Sequence, residues 1–374
     1  MANRVCYIHI GPHKTGTSAI QWFLKENRDK LLQRGYFVPE SGTARGAHHP
    51  LARALCGEPL PERKKFAAEK FAHHVEKTPS DAVIISSEAL ATLFRQPEYA
   101  QKFFGRIAQL NLQPKLLVFP RNQPQWINSR YGDGVRSCTL SESFESFVQR
   151  HTERLSALYG AFFALADTYK AELIARPFTT QTLANNVVPT FLRAVGIDPG
   201  QFPNITVRRN EGAGPFTVAA LRGVARALVS AGIALKWRQA TRCKSKLSDY
   251  LEKRGLADSG YCGLTNALAQ QLEELSRADN NAFAQRAWGA PWQDVFADDL
   301  GCEFQPNDFD VAPQDEQKQQ LLAKTVTELM AVVEAILRDP GLAVDEPWND
   351  LQQRRGWAQE TATDDGSAEA AAEI

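Results

Sequence analysis

What this chain lacks first is an imbalance of charge. Its 374 residues carry 43 Lys+Arg against 43 Asp+Glu, so bulk charge gives no ground for a nucleic-acid or membrane-surface partner. No apolar run reaches the length of a membrane span. Met1-Ala2-Asn3-Arg4 leads straight into a strand-like segment, without the apolar stretch and small-residue cleavage site of a signal peptide. Six cysteines (Cys6, Cys56, Cys138, Cys243, Cys262 and Cys302) are scattered with no C-x-x-C pair. That argues against a zinc site or a disulfide framework and for reduced thiols, hence a cytoplasmic location. No internal repeat is visible. A hydrophobic content of 43% with 23% charged residues is ordinary for a soluble enzyme.

What is present is organised around one stretch. Val5-Cys6-Tyr7-Ile8-His9-Ile10 reads as a buried strand, Gly11 to Gly16 as a turn, and Ile20, Phe23, Leu24 and Leu31 as one apolar helix face. Strand, glycine turn and helix together make an anion site, because the first amides of a helix have no internal partners and its dipole adds positive charge. Gly11 and Gly16 have the G-x-x-x-x-G spacing of a nucleotide-triphosphatase loop. The Lys-Ser/Thr pair that follows in such loops is missing; Thr17 and Ser18 follow Gly16, and the lysine stands inside the turn at Lys14. One lysine, backbone amides and the hydroxyls of Thr15, Thr17 and Ser18 suit a phosphate without requiring a metal.

Further short apolar runs, at 36–39, 81–88, 114–121 and 172–178, alternate with helical patterns at 62–77, 96–110, 124–135, 141–169 and 180–195. This alternation predicts an α/β protein: a P-loop-like three-layer fold with a central parallel sheet flanked by helices. Ligands of such sheets bind beyond the carboxyl ends of the strands. Lys14, Ser86-Ser87-Glu88 and Arg121 all fall on that edge. Segments near 215–231, 242–253, 263–287 and 314–337 read as a largely helical second half. The expected organisation is a single domain over 1–357, with a nucleotide-binding core at 1–200, an acceptor-side elaboration at 201–357 and a disordered acidic tail at 358–374. The basic stretch from Arg222 to Arg254 suits either a wall facing an anionic substrate or a solvated helix face.

Two of these segments resemble the sulfotransferases that use 3′-phosphoadenosine 5′-phosphosulfate (PAPS), and more narrowly a branch of bacterial sulfotransferase-like proteins. Gly11-Pro12-His13-Lys14-Thr15-Gly16-Thr17-Ser18 is similar to that family's loop for the 5′-phosphosulfate. Leu117-Val118-Phe119-Pro120-Arg121 through Ser129-Arg130-Tyr131 is similar to its 3′-phosphate site, in which an Arg at a strand end and a Ser eight residues later hold that group. Ser86-Ser87-Glu88 resembles the strand end that carries a catalytic Glu in glycan and tyrosylprotein members, and Ala175-Arg176-Pro177-Phe178 is a weaker match. The resemblance implies sulfuryl transfer from PAPS to a hydroxyl of a glycan or small-metabolite acceptor, with no metal. It implies that His13, Lys14, Thr15, Gly16, Thr17, Ser18, Arg121 and Ser129 bind the donor. Lys14 would stabilise the leaving phosphate and Glu88 act as general base, with His48 or His49 as the rival base. The family's late basic loop has no clear counterpart, although Arg208-Arg209-Asn210-Glu211-Gly212 and Arg242-Cys243-Lys244-Ser245-Lys246 are candidates, and Pro120 interrupts the expected strand. The missing Lys after Gly16 counts against the alternative, an ATP- and Mg²⁺-dependent nucleoside or sugar phosphotransferase. A third reading is a non-catalytic nucleotide-binding domain. His9 reads as a hydrogen-bonded core residue, His73-His74 as solvent-facing, Arg176 as structural or cleft-lining, and the tryptophans as packing or sugar-stacking groups.

Overall fold

The β-branched and aromatic runs pair side by side in the computed structural model, which describes residues 4–339 apart from 45, 59, 61–65, 185, 204, 206–211 and 313. The strands are β1 (Arg4–Gly11), β2 (Tyr36–Phe37), β3 (Ala82–Ser86), β4 (Leu112–Val118) and β5 (Glu172–Ala175). They form one parallel sheet in the order β2-β3-β1-β4-β5. Alternation along the strands separates its two faces. Cys6, Ile8, Ile10, Val83, Ile85, Leu116 and Val118 join the larger buried cluster, which extends through the second half to Ile336. Ile84 and Leu117 join a smaller cluster on the opposite face. With both faces covered, β3 is buried at every position, as a continuous apolar strand requires.

The helices α1 (Thr17–Glu26), α2 (Arg28–Leu32), α3 (His49–Cys56), α4 (Ala67–Lys77), α5 (Leu90–Leu93), α6 (Pro97–Gln109) and α7 (Gln123–Val135) accompany the first four strands. Next come α8 (Phe144–Arg150), α9 (Thr152–Ser156), α10 (Gly160–Thr168), α11 (Thr180–Ala184) and α12 (Val187–Ala194). The second half is helical: α13 (Pro215–Ser230), α14 (Trp237–Lys253), α15 (Asn266–Trp288), α16 (Trp292–Val295) and α17 (Glu316–Leu337). No helix among the described residues is long and apolar enough to cross a membrane. The tail at 358–374, residues 62–65 of the helix expected at 62–77 and Arg208 to Glu211 lie outside the described residues.

Three expected elements differ. The first helix breaks at Asn27, whose side-chain amide donates back to the Phe23 carbonyl at 2.9 Å. The helix expected over 141–169 is three helices. The Asp279 carboxylate of α15 accepts from the Tyr159 and Gly160 N–H groups at 2.8 and 2.9 Å, giving α10 a fresh, capped start. The fourth strand ends at Val118, before Pro120, and Pro120 instead offers its carbonyl to the Phe178 N–H at 2.7 Å.

α7 ties the two halves together through polar side chains. The amides of Gln123 and Asn280 bond reciprocally at 2.6 and 2.8 Å. Asn128 donates to the Tyr261 carbonyl at 3.0 Å and accepts from the Gly263 N–H at 2.9 Å. The Tyr131 hydroxyl meets the buried Arg222, which a fork of hydrogen bonds at 2.6 and 2.8 Å joins to Asp308. Arg222, at the head of the basic stretch, is therefore a core ion pair, whereas Arg242, Lys246, Lys253 and Arg254 are exposed.

Candidate functional site

The turn after β1 is built from three left-handed residues, Gly11 (φ 94°), Lys14 (φ 67°) and Gly16 (φ 76°). Glycine is required at the two ends. A Cβ on Gly11 would stand 3.1 Å from the Glu88 Cβ, and one on Gly16 would stand 2.7 Å from a Val187 methyl. The interior of the turn holds itself. The buried Thr15 hydroxyl donates to the Pro12 carbonyl at 2.6 Å. The indole N–H of Trp126 in α7 donates to the His13 carbonyl at 2.9 Å, and the Arg121 guanidinium donates to the Lys14 carbonyl at 3.0 Å. Thr15, expected to face a phosphate, thus spends its hydroxyl on the loop's own backbone. Thr17 and Ser18 open α1, whose N-terminus has no side-chain cap and no acid in its first turn. Their hydroxyls have no side-chain hydrogen bond among the described residues. The α1 N-terminus is therefore left open to an anion.

Cations gather around Lys14 in the loop that leads into it. The Lys14 ammonium lies 3.9 Å from Asp133, and Lys244 of α14 reaches the same Asp133 oxygen at 2.8 Å. Burial lowers the Lys14 pKa; Asp133 opposes that, and the charges of Lys244, Arg121 and Arg130 add to the lowering. Asp133 would be raised by burial, but the charges of Lys244 and Lys14, a hydrogen bond from Lys244 and the charge of Arg130 hold it well below the usual carboxylate range. Burial pushes Arg121 and Arg130 down to about 10. Arg121 is fixed at its backbone by the Tyr159 hydroxyl, which accepts from its N–H at 2.9 Å and donates to its carbonyl. Its guanidinium lies 5.6 Å over the Phe178 ring. Ser129, half-buried two turns into α7, has no side-chain hydrogen bond among the described residues, so it is not bonded back to its own helix.

The second strand end supplies a carboxylate. Glu88 accepts from the Gln21 amide of α1 at 2.5 Å, and its other oxygen lies 3.5 Å from His49 Nε2 and 3.9 Å from His13 Nδ1. Burial alone would raise its pKa, but a hydrogen bond from His49 and the charges of His49 and His13 hold it well below the usual range. Burial drives His13 itself down to about 3 against the pull of Glu88, so its ring is neutral near pH 7 and His49 is the effective partner. The other His49 nitrogen meets the Ser87 hydroxyl at 2.9 Å.

His48 does not join them. It is fully buried; its Nδ1 accepts the Ser86 N–H at 3.1 Å, which leaves Nε2 to donate to the Pro39 carbonyl at 2.8 Å. Both ring nitrogens are committed to backbone, and burial lowers its pKa to about 4. This correction has a simple cause: His48 fastens the start of α3 to the end of β3, and the next residue, His49, is thereby turned to Glu88. His9 is likewise buried and bonded to the Ser86 hydroxyl at 2.8 Å, as a core residue. His73 and His74 are exposed. Trp126 and Trp292 are buried in packing, and Arg176 donates to the Ala175 carbonyl at 2.9 Å on the far edge of the sheet.

Of the two late basic segments, the one at 242–246 brings Lys244 to the site, and the one at 208–212 lies almost wholly outside the described residues. Asp133, Arg130, Gln21 and Trp126 belong to the site without having been singled out for it. Only the i+4 spacing of Trp126 and Arg130, and of Ser129 and Asp133, hinted that one face of α7 turns toward the loop. Set against family models, curated proteins and solved structures, the chain finds no match in any of the three.

Proposed function

We propose that this protein transfers a sulfuryl group from PAPS to an acceptor hydroxyl on a P-loop-like fold. The observation that carries the reading is one arrangement. Lys14, Lys244 and Arg130 gather about the Asp133 carboxylate. Arg121 holds the Lys14 carbonyl of the loop that leads into the open start of α1 and feels the charge of Asp299, and an ionised Glu88 stands at the neighbouring strand end. Lys14 and Lys244 converge on one Asp133 oxygen beside an uncapped helix start, and a donor with phosphates on both its 3′ and 5′ positions supplies anions that suit such a cationic loop.

In this reading the loop amides, Thr17 and Ser18 hold the 5′-phosphate, while Arg121 and Ser129 take the 3′-phosphate. Lys14 and Lys244 sit where charge develops on the bridging oxygen as the sulfur–oxygen bond to the phosphate breaks. The acceptor oxygen forms the new bond to sulfur, its proton passes to the Glu88–His49 pair, and 3′,5′-bisphosphoadenosine leaves. A carboxylate held as low as Glu88 is a weak base alone; His49, oriented by Ser87, shares the proton. His48 and the Thr15 hydroxyl act only by holding the backbone.

Isothermal titration with 3′,5′-bisphosphoadenosine, beside 5′-AMP and beside ATP with Mg²⁺, tests the reading. Micromolar binding, about −8 kcal/mol, that collapses for 5′-AMP and for Arg121→Ala is expected. No binding, or a preference for ATP with Mg²⁺, sinks the sulfotransferase and favours a phosphotransferase or a silent fold.

A further inference from the structure

On the Glu88 side of the loop stands a cation that the donor does not use. The Trp126 ring is buried and locked by its hydrogen bond to the His13 carbonyl. Over its face, at 5.5 Å, lies the guanidinium of Arg154 from α9. Arg154 is half-buried and forms no hydrogen bond or ion pair among the described residues. Burial, with the charges of Arg130 and Arg95 adding to its effect rather than relieving it, lowers its pKa to about 9. The adjacent Arg150 is already taken by Glu142. A buried charge is ordinarily paired, and a planar guanidinium stacked on a fixed ring keeps its N–H fork free for a planar or tetrahedral anion.

Position assigns that anion to one end of the site. Arg130 follows Trp126 by one turn of α7, and its charge reaches the His13 ring, as do those of Glu88 and His49. Arg95 stands just beyond α5, the helix that follows Glu88. Arg154 is thus tied through the Trp126 ring to the His13 backbone, and the His13 ring lies 3.9 Å from Glu88, whereas Arg121 lies over Phe178.

We propose that Arg154, flanked by Arg130 and Arg95, is an acceptor subsite for an anionic group. The hydroxyl that receives the sulfuryl group then belongs to a molecule that already carries a carboxylate or a sulfate or phosphate ester. This rests on the sulfuryl-transfer reading, which makes the Glu88 end the acceptor end. Arg154 acts as a specificity residue that touches the acceptor and leaves the donor untouched.

The test is titration of the full chain, saturated with 3′,5′-bisphosphoadenosine, with glucuronate, glucose 6-sulfate and methyl glucoside. At least one anionic sugar is expected to bind about tenfold or more tighter than the neutral one, and Arg154→Gln is expected to remove that margin. Binding of glucuronate alone identifies a carboxylate, and of glucose 6-sulfate alone an ester. Arg154→Gln must keep wild-type nucleotide affinity and a wild-type unfolding curve. Arg154→Lys, with charge but no fork, is expected to fall between. Equal binding of the neutral sugar, no binding of either anionic sugar, or an unchanged margin in Arg154→Gln overturns the subsite. If the wild type does not bind the bisphosphonucleotide, the sulfuryl-transfer reading falls instead, and the same titrations without nucleotide judge the Arg154 subsite by itself.

Discussion

Asp133→Asn is the substitution that most directly questions the anion site. Asparagine keeps the volume and one acceptor while removing the negative charge that faces Lys14 at 3.9 Å and Lys244 at 2.8 Å. At an effective dielectric near 20, opposite charges about 4 Å apart attract by about 4 kcal/mol. The side chains are 23% to 37% exposed, so solvent returns much of that, and a net loss of about 2 kcal/mol in unfolding free energy is expected. Because the loss is electrostatic, urea unfolding should show it at low salt and recover most of it near 1 M, where the Debye length falls to about 3 Å. The same change should tighten anion binding, since Asp133 occupies lysines that a phosphate would use. An affinity for 3′,5′-bisphosphoadenosine about tenfold higher, or about 1.4 kcal/mol, is expected by titration. The variant should then regain more stability than the wild type when ligand is added. A variant as stable as the wild type at low salt, or one that binds the anion more weakly, would refute the view of Asp133 as counter-ion to an anion site.

Three other outcomes follow from single contacts. Gly16→Ala places a Cβ at φ 76° and 2.7 Å from a Val187 methyl, and thermal unfolding should report a loss of about 2–3 kcal/mol together with weakened anion binding. The depressed pKa of His48, about 4 against an ordinary 6.5, means that the unfolded chain binds the proton first. That stability is complete above about pH 6.5, falls as pH drops toward 4, and amounts to about 3 kcal/mol; unfolding curves that do not change between pH 7 and 4.5 would contradict it, and His48→Gln should flatten the slope. Asn128→Ala strands the Tyr261 carbonyl and the Gly263 N–H; a loss of about 2 kcal/mol by denaturant titration is expected, and less than about 0.5 kcal/mol would mean that the clamp does not hold the halves together.

Much of this was legible in residue order because it depends on neighbours in the chain. The apolar strands, the glycines framing the turn and the open start of α1 follow from local sterics and from unsatisfied helix amides. The parallel sheet follows from the alternation of strands with helices, and that sheet brings Lys14, Glu88 and Arg121 to one edge. The misreadings came where a distant group competed with a local pattern. Asp279, more than a hundred residues away, caps Tyr159 and Gly160 and cuts a continuous helical pattern. Ser86 and Pro39 claim both nitrogens of His48, which decides between two adjacent histidines that sequence alone leaves equivalent. Thr15, placed with the phosphate hydroxyls, turns its donor inward to Pro12.

The amino-acid sequence by itself determined the sheet, the shape of the loop and the strand ends from which a site can be built, because backbone sterics and burial periodicity act over a few residues. Only the tertiary structure decided which charges meet there. Lys244 reaches Asp133 across 111 positions of chain, and Arg154 lies on the face of Trp126. Such encounters depend on how α7, α9 and α14 pack, and an electrostatic interaction that falls with distance in space leaves no trace in the spacing of the residues that make it.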